Sequence, residues 1–324
     1  MSTMLPVENC NATESVIAAP IGKSVSEVVE QPASSHLRDL LDLLKPRISA
    51  MVLVTVALSH FVASQGHPDL WNLLHTLIGT LLVAASSGAF NQWLEQHTDG
   101  CMERTSDRPL PAGRMGTAEV IAFGVITLIA GVTYLSLTVN WQAVLWAVAT
   151  WVVYVCVYTP MKTWTSWNTT VGAISGALPI LIGSSAVGQT ANLHVWAMLT
   201  VLFVWQFPHF LAIAWLYRHQ YASAGLQMVT TTDPTGKKAG LYSVLGAMVV
   251  IACSLLPLLS VRLDGFNVQS GIYGIIAVSL GIYQLIAAAK FRQSLDDRTA
   301  RQLLKASIIY LPLALGLIAV HTAL

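Results

Sequence analysis

Long apolar stretches follow one another along most of the chain, separated by short polar segments. Each stretch runs for about 20 residues, the length that an α-helix needs to cross the hydrocarbon core of a bilayer. The runs are continuous rather than alternating, and lipid offers exposed backbone groups no hydrogen-bond partner, so helices are favoured over strands. The pattern therefore predicts an all-α integral membrane protein with nine spans, at about 47–65, 71–92, 117–138, 141–159, 169–188, 193–216, 240–260, 270–289 and 303–322.

Four of the predicted spans contain an internal proline. Proline has no backbone donor, and its ring leaves a carbonyl of the preceding turn without a partner. In a membrane, neighbouring helices must satisfy such a carbonyl. We expect bent, mutually packed helices at Pro179, Pro208, Pro257 and Pro312.

The beginning of the chain differs from the rest. Residues 1–44 are polar, include Glu8, Glu14, Glu27 and Glu30, and contain no apolar segment preceded by basic residues. A cleavable signal peptide needs such a segment, so this class of leader is not predicted. We expect a disordered cytoplasmic arm over 1–44 and one nine-helix domain over 45–324.

The composition agrees with a membrane protein. Charged residues make up 10% of the 324 positions and hydrophobic residues 54%, whereas an average globular chain has about 25% charged residues. Seventeen basic and 16 acidic residues leave a net charge of +1. A nucleic-acid partner attracted by bulk charge is therefore not expected.

The basic residues are distributed unevenly between the two sides of the predicted bundle. All but Arg262 of the 17 fall on one side, and this bias marks the cytoplasmic side of bacterial membrane proteins. We expect the N-terminus in the cytoplasm and the C-terminus outside. The residues on the cytoplasmic side are Lys23, Arg38, Lys45, Arg47, Arg104, Arg108, Arg114, Lys162, Arg218, Lys237, Lys238, Lys290, Arg292, Arg298, Arg301 and Lys305.

The densest polar stretch begins at the cytoplasmic end of the second span. Asn91, Glu95 and Asp99 are four residues apart, and each step of four turns a helix by only about 40°, so all three project from one face. Such oxygen donors suit Mg²⁺, which completes its shell with water and substrate phosphate. Arg104 and Arg108 follow, as binding of a diphosphate would require.

An ordinary solvated helix end is the alternative interpretation of this charge run. Asn91 argues against it because it belongs to an apolar span, where polar side chains usually face a cavity. Two further stretches fall on the same side, one carrying Tyr158 and Lys162 and the other Trp205, His209 and Tyr217. Taken alone, Lys162 is an interfacial anchor and His209 a packed core residue. Both stretches lie on the same side of the membrane as the carboxylates, which favours a common site.

Three motifs carry a resemblance to a known family. They are N-x-x-x-E-x-x-x-D-x-x-M-x-R-T-x-x-R-P-L-P from Asn91, Y-T-P-x-K from Tyr158 and W-Q-F-P-H-F-L-A-I-A-W-L-Y from Trp205. From about Lys45 to its end, the chain resembles the intramembrane aromatic prenyltransferases of the UbiA type. The third motif resembles the branch of that family that farnesylates haem.

The resemblance implies both a fold and a reaction. The fold is a helical bundle around a central cavity, set in a bacterial-type inner membrane with the active site at the cytoplasmic face. The reaction is Mg²⁺-assisted transfer of farnesyl from farnesyl diphosphate to the 2-vinyl group of haem B, with addition of water, giving haem O for haem A synthesis. The implied partners are farnesyl diphosphate, haem B, the lipid bilayer and the next enzyme of the haem A pathway.

The resemblance also implies roles for individual residues. The metal ligands and catalytic residues are Asn91, Glu95 and Asp99, with Arg104 as a further catalytic residue. The diphosphate ligands are Arg104, Arg108, Tyr158, Lys162 and Arg218. The haem contacts are His209, Tyr217 and Trp205, and His209 would touch the haem or transfer a proton.

The chain departs from the family pattern after the sixth span. It reads Arg218-His219-Gln220-Tyr221 where the family generally has Arg-Glu-Asp-Tyr. A second metal ion there would depend on Gln220 or Asp233, so one or two ions remain alternatives. Lys162 is followed by Thr-Trp where the family often has Arg-Arg, which leaves fewer cations for the diphosphate.

Other functions remain open at this point. Within the enzyme class, the acceptor could instead be a quinone precursor or a chlorophyllide. A transporter or haem carrier is the alternative from another class. Transporters place their binding groups near the bilayer midplane, whereas the carboxylates of this chain lie at one membrane face, which favours an enzyme.

Overall fold

The computed structural model describes residues 36–260 and 268–323. Over these ranges the regular structure is helical, and nine helices are long and apolar enough to cross a membrane, as predicted. Spans one to nine are Pro46–Ala63, Leu70–Leu94, Thr117–Thr138, Trp141–Met161, Asn168–Ala186, Leu193–Leu216, Lys237–Ser260, Val268–Ser294 and Asp297–Ala323.

The spans form one connected bundle. Span two packs against span three, span one against span five, and spans six to nine contact each other in turn, with span nine returning to span six. Span five contacts span six, and span nine contacts span one. These contacts join spans one to five to spans six to nine. Small residues allow these approaches: a Cβ added to Gly183 of span five would lie 2.2 Å from the Val56 carbonyl oxygen of span one. Close backbone contact of this kind is typical of helix packing in lipid.

Two of the four predicted proline bends interrupt their helices. Span five divides into Asn168–Ala177 and Pro179–Ala186, and span seven loses regular helix between Ser254 and Pro257. Spans six and nine continue through Pro208 and Pro312. Span four contains an unpredicted π-helical turn over Val153–Tyr158, and such turns often occur at functional sites.

The last part of the predicted disordered arm, residues 36–43, has regular structure, which differs from that prediction. His36–Leu43 form a short helix, and Leu43 is fully buried. A Cβ on Gly88 of span two would lie 2.2 Å from the Leu43 carbonyl oxygen, so glycine permits this packing. So short a helix depends on tertiary contacts rather than on intrinsic propensity. Residues 1–35 lie outside the described residues.

The two long loops meet at one end of the bundle. The loop after span two contains the short helix Gln96–Gly100, and the loop after span six contains Arg218–Ser223 and Val229–Thr232. The Gln227 backbone N–H donates to the Lys162 carbonyl at 2.7 Å, which joins the second loop to the end of span four. We call this end, which holds Glu95 and Asp99, the carboxylate end.

Candidate active site

Asn91, Glu95 and Asp99 stay in helical register although span two ends between them. The long helix ends at Leu94, Glu95 caps it, and Asp99 belongs to the short helix that follows. Backbone N–H groups of Glu95 and Asp99 donate to the carbonyls four residues earlier, at 3.0 and 2.7 Å. The three side chains therefore remain about one turn apart. Asn91 is fully buried and Asp99 is 1% exposed.

Each of these three side chains accepts a hydrogen bond from a different cation. Lys45 donates to the Asn91 amide oxygen, Lys162 to Glu95, and Arg108 to Asp99. The three cations come from the start of span one, the end of span four and the loop after span two. We call these six residues the ion cluster.

The charges of the ion cluster are strongly coupled. Burial tends to raise the pKa of Glu95, but the ammonium groups of Lys162 and Lys45 outweigh it and lower that pKa. Burial raises the pKa of Asp99 despite the adjacent Arg108 guanidinium. Burial, followed by repulsion from Arg108, lowers the pKa of Lys45 to about 7. For Lys162 burial is outweighed by Glu95, and its pKa is raised.

Lys45 is a site residue that the sequence reasoning missed. It has a left-handed backbone conformation (φ 47°, ψ 63°) directly before Pro46, the first residue of span one. A non-glycine residue in this region costs roughly 1–3 kcal/mol, and such strain is concentrated at functional sites. The one feature of the sequence that could have indicated Lys45 is its position as a basic residue immediately before the first apolar run.

Tyr158, the last residue of the π-helical turn of span four, and Thr159, which follows it, line the same cluster. The Thr159 hydroxyl accepts from the Asn91 amide at 2.9 Å and donates to the Tyr154 carbonyl, five residues earlier. The Lys162 ammonium lies 4.6 Å from the centre of the Tyr158 ring. The wider turn therefore directs two neighbouring side chains toward the ion cluster.

Arg104, in the loop after span two, contacts the loop after span six. Its guanidinium is 4.7 Å from the centre of the Tyr217 ring and 5.8 Å from that of Tyr221, and it donates to the Tyr221 hydroxyl at 3.5 Å. Tyr217, which was predicted to contact haem, therefore supports Arg104. Arg104 remains available to an anion because no carboxylate pairs with it among the described residues.

The profile of the UbiA prenyltransferase family matches residues 52–311. The chain belongs to the UbiA prenyltransferase family. A protein named protoheme IX farnesyltransferase from Rhodopirellula baltica is 42% identical over 289 residues, covering 88% of this chain and 100% of that protein. A protein of the same name from Opitutus terrae is 39% identical over 291 residues, covering 89% and 96%.

Solved structures show the same fold for this UbiA prenyltransferase. A digeranylgeranylglyceryl phosphate synthase aligns with a TM-score of 0.73 at 18% identity, covering 89% of this chain and 98% of that one. A UbiA homologue from Archaeoglobus fulgidus, bound to DMAPP and Mg²⁺, aligns with a TM-score of 0.63 at 15% identity, covering 87% and 99%. At these identities the likeness is one of fold alone.

Arg218 does not join the ion cluster of this UbiA prenyltransferase. Its guanidinium donates to Asp297 at 2.8 Å and to the Trp215 carbonyl at 2.7 Å, and it lies 4.4 Å from the centre of the Trp215 ring. The structure thus places this predicted diphosphate ligand against the start of span nine. The hydrogen bond to Asp297, 79 positions later in the chain, holds the Arg218 guanidinium there.

Of the two predicted donors for a second metal, only Gln220 has a free oxygen. Asp233 uses one carboxylate oxygen for the Thr235 hydroxyl and the other for the Lys238 backbone N–H, at 2.5 and 2.8 Å. The hydrogen bond from Thr235 lowers the pKa of Asp233. Asp233 therefore stabilises the start of span seven, and its role as a metal ligand stays a prediction. The Gln220 side-chain oxygen is buried and has no hydrogen-bond partner among the described residues.

Trp205 and His209 lie between spans six and nine. Their rings stack at 4.6 Å, and both side chains bond to Ser307: the Trp205 indole donates to its carbonyl at 2.7 Å, and His209 Nδ1 is 2.9 Å from its hydroxyl. Trp205 is 7% exposed. Both residues have packing partners that explain their positions, and contact with haem stays a prediction for them.

Proposed function

We propose that this chain transfers the farnesyl group of farnesyl diphosphate to the 2-vinyl group of haem B, with addition of water, giving haem O and diphosphate. The observation that carries the proposal is the ion cluster, in which cations from three segments converge on one amide and two carboxylate groups. The relatives named protoheme IX farnesyltransferase support the choice of prenyl donor and acceptor.

The donor set suits a hard divalent cation. Asn91, Glu95 and Asp99 offer only oxygen, and Mg²⁺ is commonly held by one or two carboxylates together with substrate phosphates. Softer ions prefer imidazole or thiolate ligands, whereas these three side chains offer amide and carboxylate oxygens. When bound, Mg²⁺ supplies electrostatic stabilisation of the charge that develops on the departing diphosphate.

The three cations of the ion cluster bind the diphosphate in this proposal. Lys45, Arg108 and Lys162 are held by the oxygens that would ligate the metal, so they are positioned before substrate arrives. Phosphate oxygens offer these cations equivalent charge-assisted hydrogen bonds. A prenyl diphosphate entering with a divalent ion therefore replaces one set of charge pairs by another, and no buried charge is left unpaired. Arg104 adds a fourth cation.

One divalent ion is sufficient for the proposed reaction. Gln220 is the remaining donor near the second loop, and a single neutral amide oxygen is a poor basis for a second Mg²⁺ site. The bias of basic residues toward the carboxylate end supports an active site at the cytoplasmic face of the inner membrane. His209 remains a candidate for contact with haem within spans six and nine.

Incubation of the purified protein with haem B, farnesyl diphosphate and Mg²⁺ tests the proposed reaction. Mass spectrometry should detect haem O, and Asp99→Asn should abolish it. Glu103→Gln, which changes an exposed acid of the same loop, should leave it unchanged. Prenylation of 4-hydroxybenzoate instead of haem B would contradict the choice of acceptor.

A further inference from the structure

Two histidines meet at the end of the bundle opposite the carboxylate end. His194 is the second residue of span six, and His321 lies in the last turn of span nine. Their ring centres are 5.9 Å apart, with the ring planes inclined by 54°. Both side chains are partly exposed, so a ligand can reach them.

These imidazoles differ in their hydrogen bonding from two other described histidines at this end. His60 bonds to the Asn72 side chain at 3.0 Å, and His75 bonds to the Tyr134 hydroxyl at 2.8 Å. Within the described ranges, 36–260 and 268–323, no ring nitrogen of His194 or His321 takes part in a hydrogen bond. Their ring nitrogens are therefore available as ligands.

The ring separation lies within the range that two imidazoles bound to one metal ion span. Metal–nitrogen distances of about 2.0–2.1 Å place each ring centre about 3.2 Å from the ion, so the two centres would be about 5 Å apart at a tetrahedral angle and about 6.4 Å apart in line. The observed 5.9 Å lies between these limits. Tyr273 stacks on His321 at 4.6 Å, which restricts the imidazole and reduces the entropy lost on binding.

We propose that His194 and His321 form a two-imidazole site for a first-row transition metal, separate from the oxygen donors of the ion cluster. Imidazole suits copper, zinc and iron, whereas carboxylate and amide oxygens suit Mg²⁺. The two ends of the bundle therefore select different metals. The same ligand chemistry accepts a free Cu²⁺ or Zn²⁺ ion or the iron of a haem, and the position of the site at the opposite end from the ion cluster makes it separate from the proposed transfer reaction.

Titration of the full-length, untagged protein with Cu²⁺ tests the site. Electron paramagnetic resonance should show one Cu²⁺ with nitrogen ligands, and His194→Ala or His321→Ala should weaken its binding at least tenfold. His219→Ala, which removes an exposed histidine at the carboxylate end, is the matched control and should bind as the wild type does. Unchanged Cu²⁺ binding in both variants, or equal loss in the control, overturns the proposal.

A second arm titrates ferric haem B and follows its absorption spectrum. A bis-imidazole spectrum that is lost in either variant identifies haem iron as a ligand, whereas Cu²⁺ or Zn²⁺ binding without it identifies a free ion. Binding of neither contradicts the site. Farnesyl transfer should persist in both variants, so failure of this proposal is distinguishable from failure of the proposed function.

Discussion

Lys162 at the end of span four donates a hydrogen bond to Glu95 at the end of span two, across 67 positions of sequence. The side chains are 14% and 12% exposed, so both charges are largely removed from water. Removing one partner of a buried ion pair leaves an uncompensated charge. The stability of the fold at this end therefore depends on two residues of the proposed diphosphate and metal site.

We predict that Lys162→Met destabilises the protein by roughly 3–5 kcal/mol because Glu95 then remains buried and unpaired. The double variant Lys162→Met/Glu95→Gln should regain most of that stability, although it remains inactive. Unfolding in detergent by chemical denaturant measures both. Equal stability of the single and double variants would show that the ion pair is energetically unimportant.

Gly88→Ala should displace the helix that precedes Lys45. The new Cβ would lie 2.2 Å from the Leu43 carbonyl oxygen, closer than any relaxed contact. Overpacking of this kind typically costs about 1–3 kcal/mol, and we expect a lower thermal midpoint together with weaker binding of farnesyl diphosphate. Gly316→Ala is the control, because a Cβ there meets nothing within 4 Å. Matching effects of the two substitutions would contradict this explanation.

Arg114 connects the two segments that carry Lys45 and Arg108. It donates to Asp39 of the short N-terminal helix at 2.8 Å and to the Asp107 carboxylate and carbonyl at 3.0 and 2.8 Å. We predict that Arg114→Ala raises KM for farnesyl diphosphate several-fold more than it lowers kcat. A double-mutant cycle with Asp39→Asn should give a coupling energy of about 1–2 kcal/mol. A coupling near zero would remove Arg114 as a positioning residue.

Tyr217 should support Arg104 through its aromatic face. Tyr217→Phe keeps that face, whereas Tyr217→Leu removes it, and a cation–π contact of about 0.5–1 kcal/mol corresponds to a two- to fivefold change in binding. We expect KM for farnesyl diphosphate to rise by this factor in Tyr217→Leu only. If Tyr217→Phe has the larger effect, the hydroxyl rather than the ring is important.

The nine spans and the oxygen donors of the ion cluster could be predicted because their signals are local. About 20 apolar residues in a row specify a span, and a spacing of four residues places Asn91, Glu95 and Asp99 within successive turns. The partners of these groups are not local. Lys45 lies 46 positions from Asn91, and no periodicity relates them.

For the same reason the sequence did not indicate the partners of two predicted ligands. Arg218 and Asp233 have the charge that a diphosphate or a metal requires, but Asp297 and the Thr235 hydroxyl engage them. The helix His36–Leu43 was missed because eight residues carry little helical signal without their tertiary contacts.

We propose that the ion cluster binds prenyl diphosphate together with a divalent ion. Isothermal titration of the purified protein with a non-ionising thio-analogue of farnesyl diphosphate, with and without Mg²⁺, tests it most directly. Binding should strengthen at least tenfold with Mg²⁺ in the wild type and should lose this dependence in Asp99→Asn. Binding of equal affinity with and without Mg²⁺ in the wild type would contradict it.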